Sequence, residues 1–190
     1  MKQIVFLIEE PSMRELLKAI LPTLIPSDVH WVLIVHEGKQ DLERSIPRKL
    51  RAWQNQDARF VIVRDVDSAD CVPLKQKLKD LCDETGRADY LIRLVCRELE
   101  SWFLGDLKAV AVAFDLPRLA KLAARGKFRD PDRLGNASEE LRRLVDGYQK
   151  IGGARAIAPH LDLSNNQSKS FQVFLDGVRR LVAAMSDIRS

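Results

Sequence analysis

The chain has 190 residues, 46% hydrophobic and 31% charged, with a formal net charge of +4. At ~150 residues per domain that length suits one domain, or one domain with a helical extension. The composition excludes a disordered chain. The three cysteines have no CxxC spacing and form no evident disulfide framework.

No uncharged run approaches the ~20 residues of a membrane span, so no membrane partner is expected. The apolar run Ile4–Ile8 is too short for a signal peptide. A reducing, cytoplasmic setting is therefore expected. The charge is unevenly divided. Residues 1–96 carry 15 Lys+Arg against 15 Asp+Glu, while residues 97–190 carry 16 against 12. The densest basic stretch holds Arg118, Lys121, Arg125, Lys127, Arg129 and Arg133 against Asp130 and Asp132.

In chain order, four short β-rich runs alternate with helix-like stretches. Ile4–Ile8 predicts a first strand, and Pro11 opens a helix over Ser12–Leu21. Val29–Val35 predicts a second strand. Asp41–Trp53 has helical spacing, with Pro47 as an expected break or kink. Phe60–Val63 predicts a third strand, Val72–Leu81 a helix stopped by Gly86, and Tyr90–Val95 a fourth strand. Strands apolar at nearly every position are buried on both faces, which is the pattern of a parallel sheet between helices.

Beyond residue 97 no comparable β-rich run appears. Leu99–Phe114, Pro117–Ala124, Ser138–Val145 and Phe171–Met185 read as helices, and Gly152-Gly153 as a turn before a helix. The expected organisation is an α/β core over residues 1–97 and a helical extension over 98–190 packed on the core, the two forming either two units or a single domain. The sheet is small and mainly parallel, with helices on both faces.

Ligands of open parallel sheets bind beyond the carboxyl ends of the strands. Glu9-Glu10 follow the first strand, Asp65-Val66-Asp67 the third, and Arg97-Glu98-Leu99-Glu100 the fourth. If the first and third strands are neighbours, Glu9, Asp65 and Asp67 converge. Crowded carboxylates repel unless a cation neutralises them, and oxygen ligands suit Mg²⁺ or Mn²⁺. Glu98 and Glu100 both join such a site if the segment is extended, and one of them if it is helical. Each acidic residue has a plainer role as a cap or solvated charge; for Asp70 that role is the N-cap of the helix near Val72.

Lys39, Arg97, Lys150 and Arg155 are candidate phosphate contacts. His36 is a candidate base or ligand, although a lone strand-end His is more often structural. His160 is a weaker one. Trp102 reads as core and Asp106 as a solvated or capping residue. The stretch 118–133 suits a nucleic-acid backbone or a solvated face.

The run "IVFLIEE", a helix, then "VIVRDVD" resembles the Toprim fold of topoisomerases, primases and nucleases of the overcoming-lysogenization-defect type. In that fold a Glu after the first strand and an Asp-x-Asp after a later one bind Mg²⁺. Glu10 stands where Toprim domains usually carry Gly. More closely, "FLIEEPS", "HEGKQDL", "DVDSADC", "CRELESWFLGDL" and "YQKIGGARAIAPHL" resemble the bacterial family called domain of unknown function 4276. This Toprim-like family is found near ATPases in defence loci.

The resemblance implies Glu9, Asp65 and Asp67 as metal ligands, Mg²⁺ or Mn²⁺ as cofactor, and a phosphodiester as substrate. A nuclease linked to bacterial defence, with nucleic acid and a nearby ATPase as partners, is the reading it favours. Two rivals stand beside it. One is a non-catalytic module working with an ATPase. The other is a receiver-like phosphoacceptor at Asp65, which would need a fifth strand ending in Lys.

Overall fold

The computed structural model describes residues 1–186. Its first half runs β1 (Gln3–Ile8), α1 (Pro11–Leu24), β2 (His30–Val35), α2 (Lys39–Ala52), β3 (Ala58–Asp65), α3 (Cys71–Asp83) and β4 (Tyr90–Val95). The four strands form one parallel sheet in the order β2-β1-β3-β4. β1, buried along its whole length, lies between β2 and β3. The strands expected from the apolar runs are all present, and the α/β class is as their alternation predicts. No fifth strand occurs among the described residues, so the receiver reading lacks its Lys-bearing strand.

Alternation along β1 assigns the two faces. Val5 and Leu7 turn to a cluster with Leu42, Ile46 and Leu50 of α2 and Leu74 and Leu78 of α3. Ile4, Phe6 and Ile8 turn to the other cluster, with Leu16, Leu17 and Ile20 of α1. That second cluster continues without interruption into the C-terminal half, through Trp102, Phe103, Val110, Phe171, Phe174 and Val178. The basic half is thus built on the α1 face of the sheet. Its helices are α4 (Glu100–Leu104), α5 (Leu107–Ala113), α6 (Ala137–Leu144), α7 (Lys150–Ile157) and α8 (Lys169–Ser186).

Three expectations need correction, and a fourth, the Pro117–Ala124 helix, is refined in type. Pro47 does not end α2, which continues from Lys39 to Ala52; buried Leu42, Ile46 and Leu50 hold the helix on both sides of the ring, since packing outweighs propensity. The expected helix Leu99–Phe114 is two helices. Asp106 starts the second, its side chain accepting the Ala109 N–H at 3.1 Å. Pro117–Ala124 is 3₁₀ rather than α, and further 3₁₀ turns at Gly126–Phe128 and Pro131–Arg133 follow it. Gly152-Gly153 lie inside α7, where a side chain on Gly153 would collide with the Tyr148 ring.

The break at Gly105 has a packing cause. A Cβ there would strike the Asn166 side chain and come within 2.8 Å of the Ser168 backbone nitrogen. Asn166 is itself fixed, donating to the Trp102 carbonyl at 2.8 Å and accepting from the Ser168 N–H at 2.8 Å. Gly105→Ala is therefore expected to cost about 1–3 kcal/mol, the usual range for overpacking. Urea unfolding checks this as a lower midpoint with an unchanged slope.

Candidate functional site

The parallel register brings the strand ends to one edge. Ile8 pairs with Val35 on one side and Val63 on the other, and Asp65 pairs with Val95. Glu9, His36, Asp65 and Cys96 therefore leave the sheet at one end, where ligands of such sheets bind.

Three carboxylates there are drawn inward. Glu9 accepts the Asp65 N–H through Oε2 at 3.2 Å. The Asp65 side chain is buried and accepts the Leu99 N–H at 3.1 Å, so it fixes the chain as it leaves β4. Glu100, the first residue of α4, is fully buried. Its Oε1 accepts from the Tyr148 hydroxyl at 3.4 Å, while Oε2 has no hydrogen-bond partner. Glu10, which sequence reasoning set aside as a departure from glycine, faces the same space. Its carboxylate and that of Glu100 lie 3.7 and 3.8 Å from the Lys150 ammonium.

The electrostatics follow from this crowding. Burial pushes the Asp65 carboxyl well above the ordinary carboxylate range, and Glu10, Glu9 and Glu100 push it further. Burial also raises Glu9, against the opposing pull of the Asp65 N–H. Burial raises Glu100, with Lys150 working the other way. Burial disfavours the charge on Lys150, yet Glu100, Glu10, Asp65 and Glu98 together raise it above the usual lysine value. The site carries more negative charge than its own cation can neutralise.

The remaining predicted residues take other places. Asp67 stands on the rim, half exposed, 3.4 Å from Lys39 Nζ. Its backbone is left-handed (φ 53°), as is that of Arg97 (φ 68°). Arg97 donates to the Asp67 carbonyl at 3.1 Å, and Asp67 N–H donates to the Arg97 carbonyl at 2.8 Å. The pair thus locks the β3 and β4 exits together. Glu98 accepts the Ser138 N–H at the start of α6 at 2.8 Å, so one of its oxygens is committed to a helix end. Of the two glutamates after β4, Glu100 is the one in the buried cluster.

Arg155 does not reach the cluster. It donates to Glu15 of α1 at 2.8 Å and ties α7 to α1. His36 is buried, with Nδ1 2.9 Å from the Ile8 carbonyl. Asp70 caps α3, accepting the Val72 N–H at 2.9 Å. Trp102 is core, its indole donating to Ser170 at 2.7 Å. Arg64, on β3, forms an ion pair with Glu43 at 3.0 Å and lies 3.9 Å from Glu9. The six basic residues of 118–133 are all exposed, and Lys127 and Arg133 are paired with Glu140 and Asp130.

Sequence reasoning missed Glu10, Tyr148 and the inward turn of Lys150. The doubled Glu9-Glu10 was the only signal for the first. The other two come from the start of α7 and the turn just before it, more than 80 positions along the chain from β3.

The donor set suits a hard cation: carboxylate oxygens, one buried with no hydrogen-bond partner. No group of three His, Cys, Asp or Glu side chains placed to hold a metal ion occurs among the described residues. Mg²⁺ needs none, since it keeps several waters and takes one or two carboxylates from a protein. The residues therefore fit such an ion in an open site.

A family model described as Domain of unknown function (DUF4276) matches residues 8–179. Two solved structures resemble the whole fold. The C-terminal region of the Burkholderia pseudomallei OLD protein is 16% identical, with a TM-score of 0.55 over 100% of this chain and 98% of that one. The C-terminal region of the Xanthomonas campestris pv. campestris OLD protein is 14% identical, also at 0.55, over 100% and 97%. At these identities the likeness is one of fold, and it is the fold that the Glu and Asp-x-Asp pattern led us to expect. No curated protein matches the chain. No helix among the described residues is long and apolar enough to cross a membrane.

Proposed function

The chain belongs to the family described as Domain of unknown function (DUF4276), and we propose that it acts on phosphodiesters as a Toprim-like nuclease dependent on Mg²⁺ or Mn²⁺. One observation carries the reading. Asp65 and Glu100 are buried beside Glu9 and Glu10 with one lysine between them, and the carboxyls of Glu9, Asp65 and Glu100 are all pushed upward. Such a cluster invites a further cation.

One or two of Glu9, Asp65, Asp67, Glu10 and Glu100 would hold the ion directly, with waters completing its shell. When bound, it would polarise a phosphodiester and lower the pKa of a bound water. The protein's own groups do the rest. Leu99 N–H and Asp65 N–H orient the two strand-end carboxylates. Lys39 and Arg97 stand on the rim where an entering phosphate would meet them. The exposed cations of 118–133 extend a surface suited to a nucleic-acid backbone. The defence setting belongs to the same proposal and follows from the family resemblance, and the cytoplasmic location is proposed from the cysteine pattern and the short apolar runs.

Lys150 supports a second reading. A lysine already placed against Glu10 and Glu100 can neutralise the cluster permanently, as a non-catalytic partner of an ATPase would require. Titration with Mn²⁺, followed by electron paramagnetic resonance of the free ion, separates the two. Saturable binding together with Mn²⁺-dependent nicking of plasmid DNA or cleavage of RNA is expected. No binding and no cleavage would favour the partner module.

A further inference from the structure

β4 is an edge of the sheet, and among the described residues no strand pairs with its outer side. Phe60 N–H reaches the Asp89 carbonyl and Val66 N–H the Val95 carbonyl, so the odd residues of β4 face β3. The even residues Ile92, Leu94 and Cys96 turn their backbone groups outward. Three of these groups are occupied: Arg93 donates to the Ile92 carbonyl, Ser170 accepts the Cys96 N–H, and the Cys96 carbonyl accepts from the Glu98 N–H and the Ser101 hydroxyl. The Ile92 N–H and both backbone groups of Leu94 face the open side, as an unpaired strand presents them.

A groove of about 570 Å³ runs along this edge between α3 and α8. Ile92 and Leu94, whose side chains point to one face, line it together with Arg93, whose side chain points to the other. The strand edge itself is therefore the floor. The walls carry two of the most exposed large apolar side chains, Val72 at 76% and Val173 at 50%. Lys75, Lys79 and Lys169 stand along the rim. Lys79 is engaged by Asp83. The one acidic lining residue, Asp132, is taken up by Ser168 and Ser170 at the start of α8. The groove is thus apolar in its walls and positive at its rim.

We propose that this groove binds an extended segment of a partner protein, added to β4 as a fifth strand, with alternating apolar side chains flanked by Asp or Glu. The free groups on β4 supply the ladder bonds. Val72 and Val173 receive the side chains on the two sides of the strand, and the rim lysines select acidic flanks. A second copy of this chain is the weaker occupant, because edge-to-edge pairing would set the lysine rims against each other. A smaller cavity shares Cys71 and Cys96 with the groove and continues to Arg97. A strand seated there would end close to the locked exits of β3 and β4. The proposal is independent of the nuclease reading, since none of its groove contacts belongs to the carboxylate cluster.

The test uses a phage-displayed library of random dodecapeptides panned on the full chain. The strongest binder is then measured by fluorescence polarisation. Enriched sequences are expected to alternate apolar residues and to carry Asp or Glu at their flanks. Affinity should fall about tenfold or more in Lys75→Glu/Lys169→Glu. It should also fall in Val72→Asp, and when the peptide backbone is N-methylated. Absence of any enriched binder overturns the proposal, as do binders indifferent to charge reversal and to N-methylation. A concentration-dependent dimer dissolved by Val173→Asp would overturn it in favour of a second copy.

Discussion

Asp65→Asn is expected to abolish divalent-dependent phosphodiester cleavage while leaving the metal-free protein at least as stable as before. The loss should be ~10²-fold or greater, the scale on which removal of one charge-stabilising group is felt. Stability should move the other way because of where Asp65 sits. Its carboxylate is buried and repelled by Glu10, Glu9 and Glu100. The amide keeps an oxygen for the Leu99 N–H and removes the charge.

The sign follows from the raised pKa. A carboxyl whose folded pKa lies above its unfolded value, near ~3.9 for Asp, stabilises fully below that value. It loses the contribution as pH rises through the folded pKa. In EDTA the parent protein should therefore lose stability from about pH 4 towards neutrality, and Asp65→Asn should flatten that decline. Each kcal/mol recovered raises Tm by about 2–4 °C for a chain of this size. Circular-dichroism melts across pH and a plasmid-nicking assay check both halves. A variant that still cleaves, or that melts lower at neutral pH, contradicts the reading.

This coupling of charge and burial explains which parts of the site the sequence disclosed. The four strands and the convergence of Glu9 with Asp65 were readable because each rests on a local pattern. An apolar run buried on both faces must sit inside a sheet, and the residue after it must emerge at the strand end. Asp70 was readable as a cap for the same reason, since its bond to Val72 spans two residues.

The rest depends on long-range packing. Glu100 is in the cluster because α4 starts immediately after Leu99, whose N–H is fixed by Asp65. Glu98 is drawn off by α6, and no spacing between residues 98 and 138 announces that. Arg155 looked like a phosphate contact until Glu15 claimed it. Gly152-Gly153 carried the usual mark of a turn, but the Tyr148 ring needs the space beside Gly153 inside a helix. The division of charge between the halves was visible from the start. That one lysine of the basic half would lie between Glu10 of the neutral half and Glu100 of its own half was not.

Lys150→Met is expected to separate the two functional readings. Lys150 spans Glu10 and Glu100, and its side chain is about one-third exposed. Methionine keeps most of the length and loses the charge, leaving Glu100 buried without its cation. Removing one partner of a fully buried pair costs about 3–5 kcal/mol. Partial exposure reduces that here, so a loss of about 1–3 kcal/mol is expected in EDTA at pH 7.

The effect on metal binding should be opposite. The variant site is more negative by one unit, and the place of the ammonium is free. Mn²⁺ should therefore bind more tightly to Lys150→Met than to the parent chain and give it the larger rise in Tm, as a ligand specific for the folded state must. If the cluster is instead neutralised permanently by its own lysine, Mn²⁺ will not shift the parent's Tm. The variant will then lose stability without gaining metal affinity. Melting both proteins with and without Mn²⁺ distinguishes a lysine that gives way to a cation from one that takes its place.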